Sequence, residues 1–387
     1  MQQSISDSAE VDAASTQPGV NRIVFDAADA AAPAFFNRHG WVVLKQPLPG
    51  EMVRDIESAW DDMTRRLADD IGVSVARYLE VISQWRDLWK SDSRFESALH
   101  AVAPTAASML ALPGARLFHD HIICKTQSGA NGEVPWHQDS MYWPVDRTGL
   151  STWIPVRDAT VAHGCLEVAD GSHLWGVAEP VDFMQDQARL PRAAQTTLLP
   201  ARAGDMVALH SRTWHRSAPA LKAGARRIAH IALWLPRVTR YWPDNADWHP
   251  TNAQVTVGKD EVLNDDEFPV FGLPGGGVGN TMENKNPTVT RTGGMFGSTE
   301  RIETQVQSML GGADAPLASL LSDSNNRGII ADKIAGQTPL ARDDVADVVE
   351  QLWISVASFA KHRSRNVFCS TYTEWQKLHA MFEHEQV

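Results

Sequence analysis

Between Arg116 and Leu235 the chain is cut into short apolar runs, ARLFHDHIICK, STWIPVRDA, GCLEVA, DMVALH and RRIAHIALWL, separated by clusters of Gly, Pro, Asp and Ser. A helical bundle needs apolar residues at intervals of three and four sustained over longer windows, and these runs are too short and too often interrupted for that. Many short strands with turn signals between them predict an all-β sandwich or barrel over about residues 116–238.

The flanks read differently. HGWVVLKQPLP predicts one strand followed by a turn, and Gly50 to Asp70 carries Met52, Val53, Ile56, Trp60 and Met63 at helical spacing. Residues 94–112 are rich in Ala and Leu and also read as helix. So does the stretch from Ala341 to Phe359, where Val345, Val348, Leu352, Val356 and Phe359 recur at threes and fours, and a further helix is expected over Thr373 to Glu383. Residues 1–20, polar and without apolar period, read as a disordered tail. The expected order is that tail, a mainly β domain with flanking helices (21–240), a long Gly/Pro/Asn-rich loop containing LPGGGVGN (241–300), and a helical extension (301–387). A loop of that length suggests a lid. The apolar stripes of the extension must bury against something, either the core with its helices at 50–70 and 94–112 or a second copy in a homodimer.

Composition removes several classes. Lys plus Arg is 35 and Asp plus Glu is 47, so 35 − 47 gives a formal charge of −12, the wrong sign for a general nucleic-acid binder. No apolar run approaches the roughly 18–20 residues that a membrane span requires. The polar, acidic start MQQSISDSAEVDAAS lacks the basic and apolar regions of a signal peptide. Cys124, Cys165 and Cys369 are odd in number and far apart, so neither a disulfide framework nor a Cys-rich zinc site is expected. These features predict a soluble, cytoplasmic protein.

One constellation carries chemistry. In PWHQDSMYWP, His137 and Asp139 stand two apart, a spacing that puts both side chains on one face of a strand. One imidazole and one carboxylate are two-thirds of the 2-His-1-carboxylate set that holds Fe(II) and leaves open positions for substrate and oxygen. The pair alone is commonplace. Its context is GDMVALHSRTWHRSAPALKAGARR, in which His215 follows His137 by 215 − 137 = 78 residues and Arg226 follows His215 by eleven. A guanidinium fork at that place suits bidentate pairing with the far carboxylate of 2-oxoglutarate. His210 competes with His215 for the third ligand, and Arg227 competes with Arg226. Adjacent strand residues face opposite sides, so only one of the two arginines can point inward.

WHQDSMYWP, then STWIPVRDATVAHGCLEVADGSHLWG, then GDMVALHSRTWHRSAPALKAGARR resemble, in that order, the phytanoyl-CoA dioxygenase-like family of Fe(II)/2-oxoglutarate oxygenases. The resemblance runs from about Phe35 to Pro236. It implies a double-stranded β-helix, a cupin-like jelly roll, with His137, Asp139 and His215 on iron and Arg226 on 2-oxoglutarate. It offers Lys125, on the strand before the H-x-D, and Ser151 or Thr152, on the next long strand, as further contacts to 2-oxoglutarate. His163 and His173 read as structural and His230 as a core or wall residue. Tyr142, Trp143, Trp153 and Arg216 are the candidates for the substrate pocket. The implied reaction is hydroxylation of an unactivated carbon in a small organic molecule, natural-product or amino-acid-like, with O2 consumed and succinate and CO2 released. The alternatives are desaturation, cyclisation or epimerisation on the same cofactors, and, further off, a non-catalytic ligand-binding jelly roll. A carboxylate at Asp139 argues against halogenation.

Overall fold

The computed structural model describes residues 19–21, 23–126, 133–180, 189–219, 226–246, 249–273, 306–312, 315, 317–336, 341–361 and 367–369. The chain divides into two compact units, Met1–Asp62 with Trp85–Thr290, and Met63–Gln84 with Arg291–Val387. Helix α2 (Gly50–Ile71) and strand β3 (Ile82–Arg86) pass from one unit into the other.

The first unit opens with β1 (Phe25–Asp26), helix α1 (Ala31–His39) and β2 (Trp41–Lys45). Gly40 ends α1 at φ 79°, and its N–H returns to the Phe36 carbonyl. A Cβ there would lie 2.4 Å from His173 Nδ1 and 2.6 Å from Thr213 Oγ1, so the turn needs glycine for both its torsion and its space. Helix α4 (Ser93–Met109) starts where Asp92 accepts from the Arg94 N–H. It follows the short α3 (Val75–Val81) of the second unit in chain order.

The strands that follow are β4 (Ala115–Thr126), β5 (Val134–His137), β6 (Leu150–Pro155), β7 (Leu166–Ala169), β8 (Thr196–Leu199), β9 (Met206–His210), β10 (His215–Ser217), β11 (Arg226–Leu235) and β12 (Val270–Phe271). One sheet runs β1-β2-β9-β6-β11-β4, with β12 added to β4, and the other runs β5-β10-β7-β8. Trp41 and Val43 of β2, Val207 and Leu209 of β9, and Ala229, Ile231 and Leu233 of β11 share one apolar core with Leu166, Val168 and Leu199 of the smaller sheet. This is the expected jelly-roll architecture, two sheets closing on one filled interior.

Alternation fixes what faces that interior. The inward set on β11 is Arg227, Ala229, Ile231 and Leu233, paired in register with Lys125, Ile123, His121 and His119 of β4. On the other side of β11, Ile231 and Leu233 pair with Trp153 and Ser151 of β6. The opposite face of the same strands carries His230, whose Nε2 lies 3.0 Å from Asp120 in a fully buried pair.

The stretch expected to be an unbroken loop is half built into this unit. Leu263 and Phe268 belong to the apolar core, and the Leu117 N–H donates to the Pro269 carbonyl. The Arg116 guanidinium, 1% exposed, donates to the carbonyls of Arg237, Asn264 and Phe268 and pairs with Asp265 at 2.8 Å. Residues 274–305, where the expected lid continues, lie outside the described residues, as do the tail at 1–18 and the helix expected at 373–383.

The second unit holds α3, α5 (Leu317–Ser322), α6 (Ser324–Ala335) and α7 (Arg342–Lys361). The expected helix at 341–359 is present as α7. Leu317, Leu320 and Leu321 meet Ile330, Ile334, Val345, Val349 and Leu352 in an apolar cluster of their own. Arg77 of α3 pairs with Asp347 of α7 and lies 3.7 Å from Glu350. Residues 63–84 cluster with the C-terminal helices in this unit, where stripes on several helices satisfy one another.

Candidate metal centre

His137 ends β5 and His215 begins β10, and the antiparallel register sets them directly opposite each other, with ring centroids 4.1 Å apart. Asp139 opens the short 3-10 turn Asp139–Tyr142 that follows β5. Its Oδ1 is 3.6 Å from His137 Nε2 and 3.7 Å from His215 Nε2. One donor atom from each of the three residues lies within 4.8 Å of the others.

Both imidazoles are oriented by the same local device. His137 Nδ1 sits 2.8 Å from the Pro135 carbonyl, and His215 Nδ1 sits 2.9 Å from the Thr213 carbonyl, each two residues back. A carbonyl only accepts, so each Nδ1 carries the proton and each Nε2 presents a lone pair towards Asp139. Burial, helped by the neighbouring His137 and opposed by Asp139, takes His215 down to about 4, so this ring is neutral at pH 7. Burial alone would push the Asp139 carboxyl up, but His215, His137 and the Ser151 hydroxyl outweigh it and hold the group below the usual carboxylate range. Two imidazole nitrogens and one carboxylate are a donor set that suits a divalent first-row metal such as iron.

The scaffold behind the ligands is tight. Ser151 Oγ donates to Asp139 Oδ2. Gln138, the middle residue of H-x-D, is fully buried; its amide donates to the Gly176 and Arg212 carbonyls, and its oxygen accepts from the Ala178 N–H. The Ser140 N–H donates to the Ser211 carbonyl. The segment around Asp139 is therefore laced to the segment that leads into His215. Sequence reading passed over Gln138, and only its place between two ligands could have singled it out.

Several expected site residues stand elsewhere. Arg226 is exposed at the start of β11; its neighbour Arg227 is 2% exposed and faces inward, its guanidinium 5.5 Å from the Trp153 ring. Of the two arginines that competed for the inward position, Arg227 takes it and Arg226 faces outward. Lys125 is buried, but its ammonium is spent on the Ser217 and Ala218 carbonyls at 2.7 and 3.0 Å, which makes it a tie between β4 and the end of β10. Thr152 faces the other side of β6, where its hydroxyl accepts from Trp234 Nε1 and donates to the Ala232 carbonyl. Arg216 turns away from the ligand beside it, pairing with Glu167 at 2.7 Å and lying over Trp136. Ser151 touches a metal ligand instead of an open cosubstrate position. Tyr142 stays close, 6.3 Å from the His137 ring, while Trp143 and Trp153 lie in the interior core. The competitor His210 points towards His173 and accepts from the Arg212 N–H, while His163 closes a small cap with Thr160.

The family model for phytanoyl-CoA dioxygenase matches residues 36–228, about half of the chain, and that span contains all three candidate ligands. The chain belongs to the phytanoyl-CoA dioxygenase family. As a member it is an iron- and 2-oxoglutarate-dependent enzyme. Among solved structures it is similar to the epimerase SnoN in complex with Fe3+, α-ketoglutarate and nogalamycin RO, at 20% identity and a TM-score of 0.50, over 62% of this chain and 96% of that one. It is also similar to the carbocyclase SnoK of nogalamycin biosynthesis, at 19% identity and a TM-score of 0.49, over 64% and 99% of the two chains. A third is EvdO2 from Micromonospora carbonacea var. aurantiaca complexed with 2-oxoglutarate, at 20% identity and a TM-score of 0.41, over 56% and 91%. The likeness to SnoN is one of fold. Among the described residues, no helix is long and apolar enough to cross a membrane.

Proposed function

We propose that this phytanoyl-CoA dioxygenase-family enzyme hydroxylates a carbon of a small organic molecule, with 2-oxoglutarate and O2 converted to succinate and CO2. His137, Asp139 and His215 would hold the iron, and two imidazoles with one carboxylate fit a divalent ion. When bound, iron supplies the oxygen activation that no side chain can perform. The protein's own part is orientation. The Pro135 and Thr213 carbonyls fix the two imidazoles, and Ser151 fixes the carboxylate. Arg227, inward-facing and buried, is the residue we assign to the far carboxylate of 2-oxoglutarate. Burial lowers it to about 10, which leaves it charged at neutral pH. Trp153 links the two ends of the site, two residues from Ser151 on the same face of β6 and against the Arg227 guanidinium.

The observation that carries the reading is Asp139, an anionic ligand held by Ser151 where a halogenase would leave a gap for halide. The test combines anaerobically purified protein, Fe(II), 2-oxoglutarate and ascorbate with a metabolite library, and measures succinate and product mass. Iron-dependent succinate with a product one oxygen heavier supports hydroxylation. A product two hydrogens lighter, or of unchanged mass, would move the protein to desaturation, cyclisation or epimerisation. No iron-dependent succinate under any condition would leave only a binding role.

A further inference from the structure

Away from the triad, the interior face holds a second group of polar side chains that the ligand set does not use. Arg86, at the end of β3, is 2% exposed, and its Nη2 donates to Thr251 Oγ1 at 2.7 Å. Thr251 in turn donates its N–H to His249 Nδ1 at 3.2 Å, which places the His249 proton on Nε2. The His249 ring stacks on His119 with centroids 6.0 Å apart, and His119 lies 5.2 Å from His121. All three imidazoles are buried. Among the described residues, Arg86 Nε, His119 Nδ1 and His121 Nδ1 have no hydrogen-bond partner.

Three orphaned polar atoms in one buried group are costly unless something else satisfies them. The deficit has a sign. Burial lowers Arg86 from its ordinary value and the charges of Asp87 and Asp120 act against that, while the same Arg86 charge helps hold His119, His121 and His249 neutral. Arg86 Nε–H can only donate, so what it lacks is an acceptor, and an anionic one suits a buried guanidinium best; a neutral imidazole beside it can turn either face to the same group.

The place of the group limits what that acceptor can belong to. His119 pairs across β11 with Leu233, and Leu233 pairs with Ser151, the residue bonded to Asp139. Two strand spacings, about 10 Å, separate His119 from Ser151. The Asp139 charge is felt at His121. Arg227 lies six residues from Leu233 along β11, roughly 20 Å at strand rise. The Arg227 position and the His119 group therefore stand at opposite ends of β11. Phe118 stacks on His249 and on Phe268, with centroids 5.6 and 6.0 Å away, and lies 5.8 Å from Trp143, so an aromatic wall adjoins the polar group.

We propose that Arg86, His119, His121 and His249 form the carboxylate-binding end of the substrate site, so that the substrate is an organic acid with an apolar or aromatic body extending towards Asp139. This deepens the oxygenase reading and rests on it. The anchor is separate from the one assigned to 2-oxoglutarate.

The test uses the full-length protein loaded with Mn(II) as a redox-quiet metal, and isothermal titration with benzoate, phenylacetate and 3-phenylpropionate against their primary amides. With 2-oxoglutarate saturating, the wild type should bind at least one acid about tenfold or more tighter than its amide, a difference of about 1.4 kcal/mol. Arg86→Gln should erase that preference with 2-oxoglutarate affinity unchanged, and Arg86→Lys, which keeps the charge and guards against misfolding, should retain part of it. Arg227→Gln should lose 2-oxoglutarate binding yet keep the acid preference measured without 2-oxoglutarate. Absence of an acid preference in the wild type, or its persistence in Arg86→Gln, overturns this proposal while leaving the oxygenase reading intact. Loss of 2-oxoglutarate binding in Arg86→Gln but not in Arg227→Gln would overturn the proposal and the Arg227 assignment together.

Discussion

Ser151 Oγ donates to Asp139 Oδ2, so the carboxylate of the smaller-sheet ligand turn is held by a strand of the larger sheet. A ligand carboxylate without such a partner can rotate away from the metal. Ser151→Ala should weaken metal affinity about 10- to 100-fold, the usual cost of losing a supporting bond behind a ligand. Ser151→Thr should recover most of it. Anaerobic metal titration with unchanged melting behaviour is the measurement, and an unaltered metal Kd in Ser151→Ala would remove the role given to this hydroxyl.

The two arginines at the start of β11 give a matched pair. Arg227→Ala removes a buried fork from its carboxylate, a loss of about 3–5 kcal/mol, so 2-oxoglutarate should bind hundreds to thousands of times more weakly. Arg226→Ala, at an exposed position, should change that Kd by less than about twofold, as surface substitutions usually do. Titration of 2-oxoglutarate against both variants decides between the two residues.

These neighbours also show where sequence reading stopped. The triad was legible because its chemistry demands unusual residue types at an unusual spacing; the many short strands foretold a sandwich or barrel, and the family resemblance implied the jelly roll. Arg226 and Arg227 were not separable by pattern. Ile228, Ala229, Ile231, Ala232 and Leu233 are all apolar and all buried, so β11 is covered on both faces and shows no alternation from which to read direction. Gln138 was invisible for a related reason: its partners are backbone carbonyls and an N–H, and they leave no trace in side-chain identity. The stretch after Pro236 looked like a loop because its order comes from contacts such as those of Arg116 with three carbonyls, far away in the chain.

His137→Ala or His215→Ala should abolish stoichiometric metal binding and iron-dependent turnover, because each removes one of three donors. His210→Ala should retain both. Metal content by mass spectrometry and succinate release test this. A metal-loaded, active His215→Ala would return the third ligand to the alternatives.

Buried neutral histidines should make the protein acid-sensitive. Burial lowers His210 to about 4, with His173 and Arg212 acting in the same sense. An unfolded histidine takes its proton near pH 6.5 and the folded His210 only near 4. Between those values the unfolded state holds the extra proton, so stability falls as pH falls, by about 1.4 kcal/mol per pH unit for this group. Below about pH 4 its contribution is exhausted. Urea unfolding of metal-free protein from pH 7 to 4.5 should show this slope, and His210→Gln should flatten it by about one proton. An identical slope in the variant would contradict the lowered titration of this half-buried ring.

The register that sets His137 opposite His215 also imposes an order in time. During synthesis the H-x-D half emerges first, and 215 − 137 = 78 further residues must follow before its partner strand exists. At about 5–20 residues per second that interval is roughly 4–16 seconds. Through it the nascent chain offers a metal only a two-donor fragment with nothing opposite to close the set. The three-donor set exists only once β10 has been made and paired with β5.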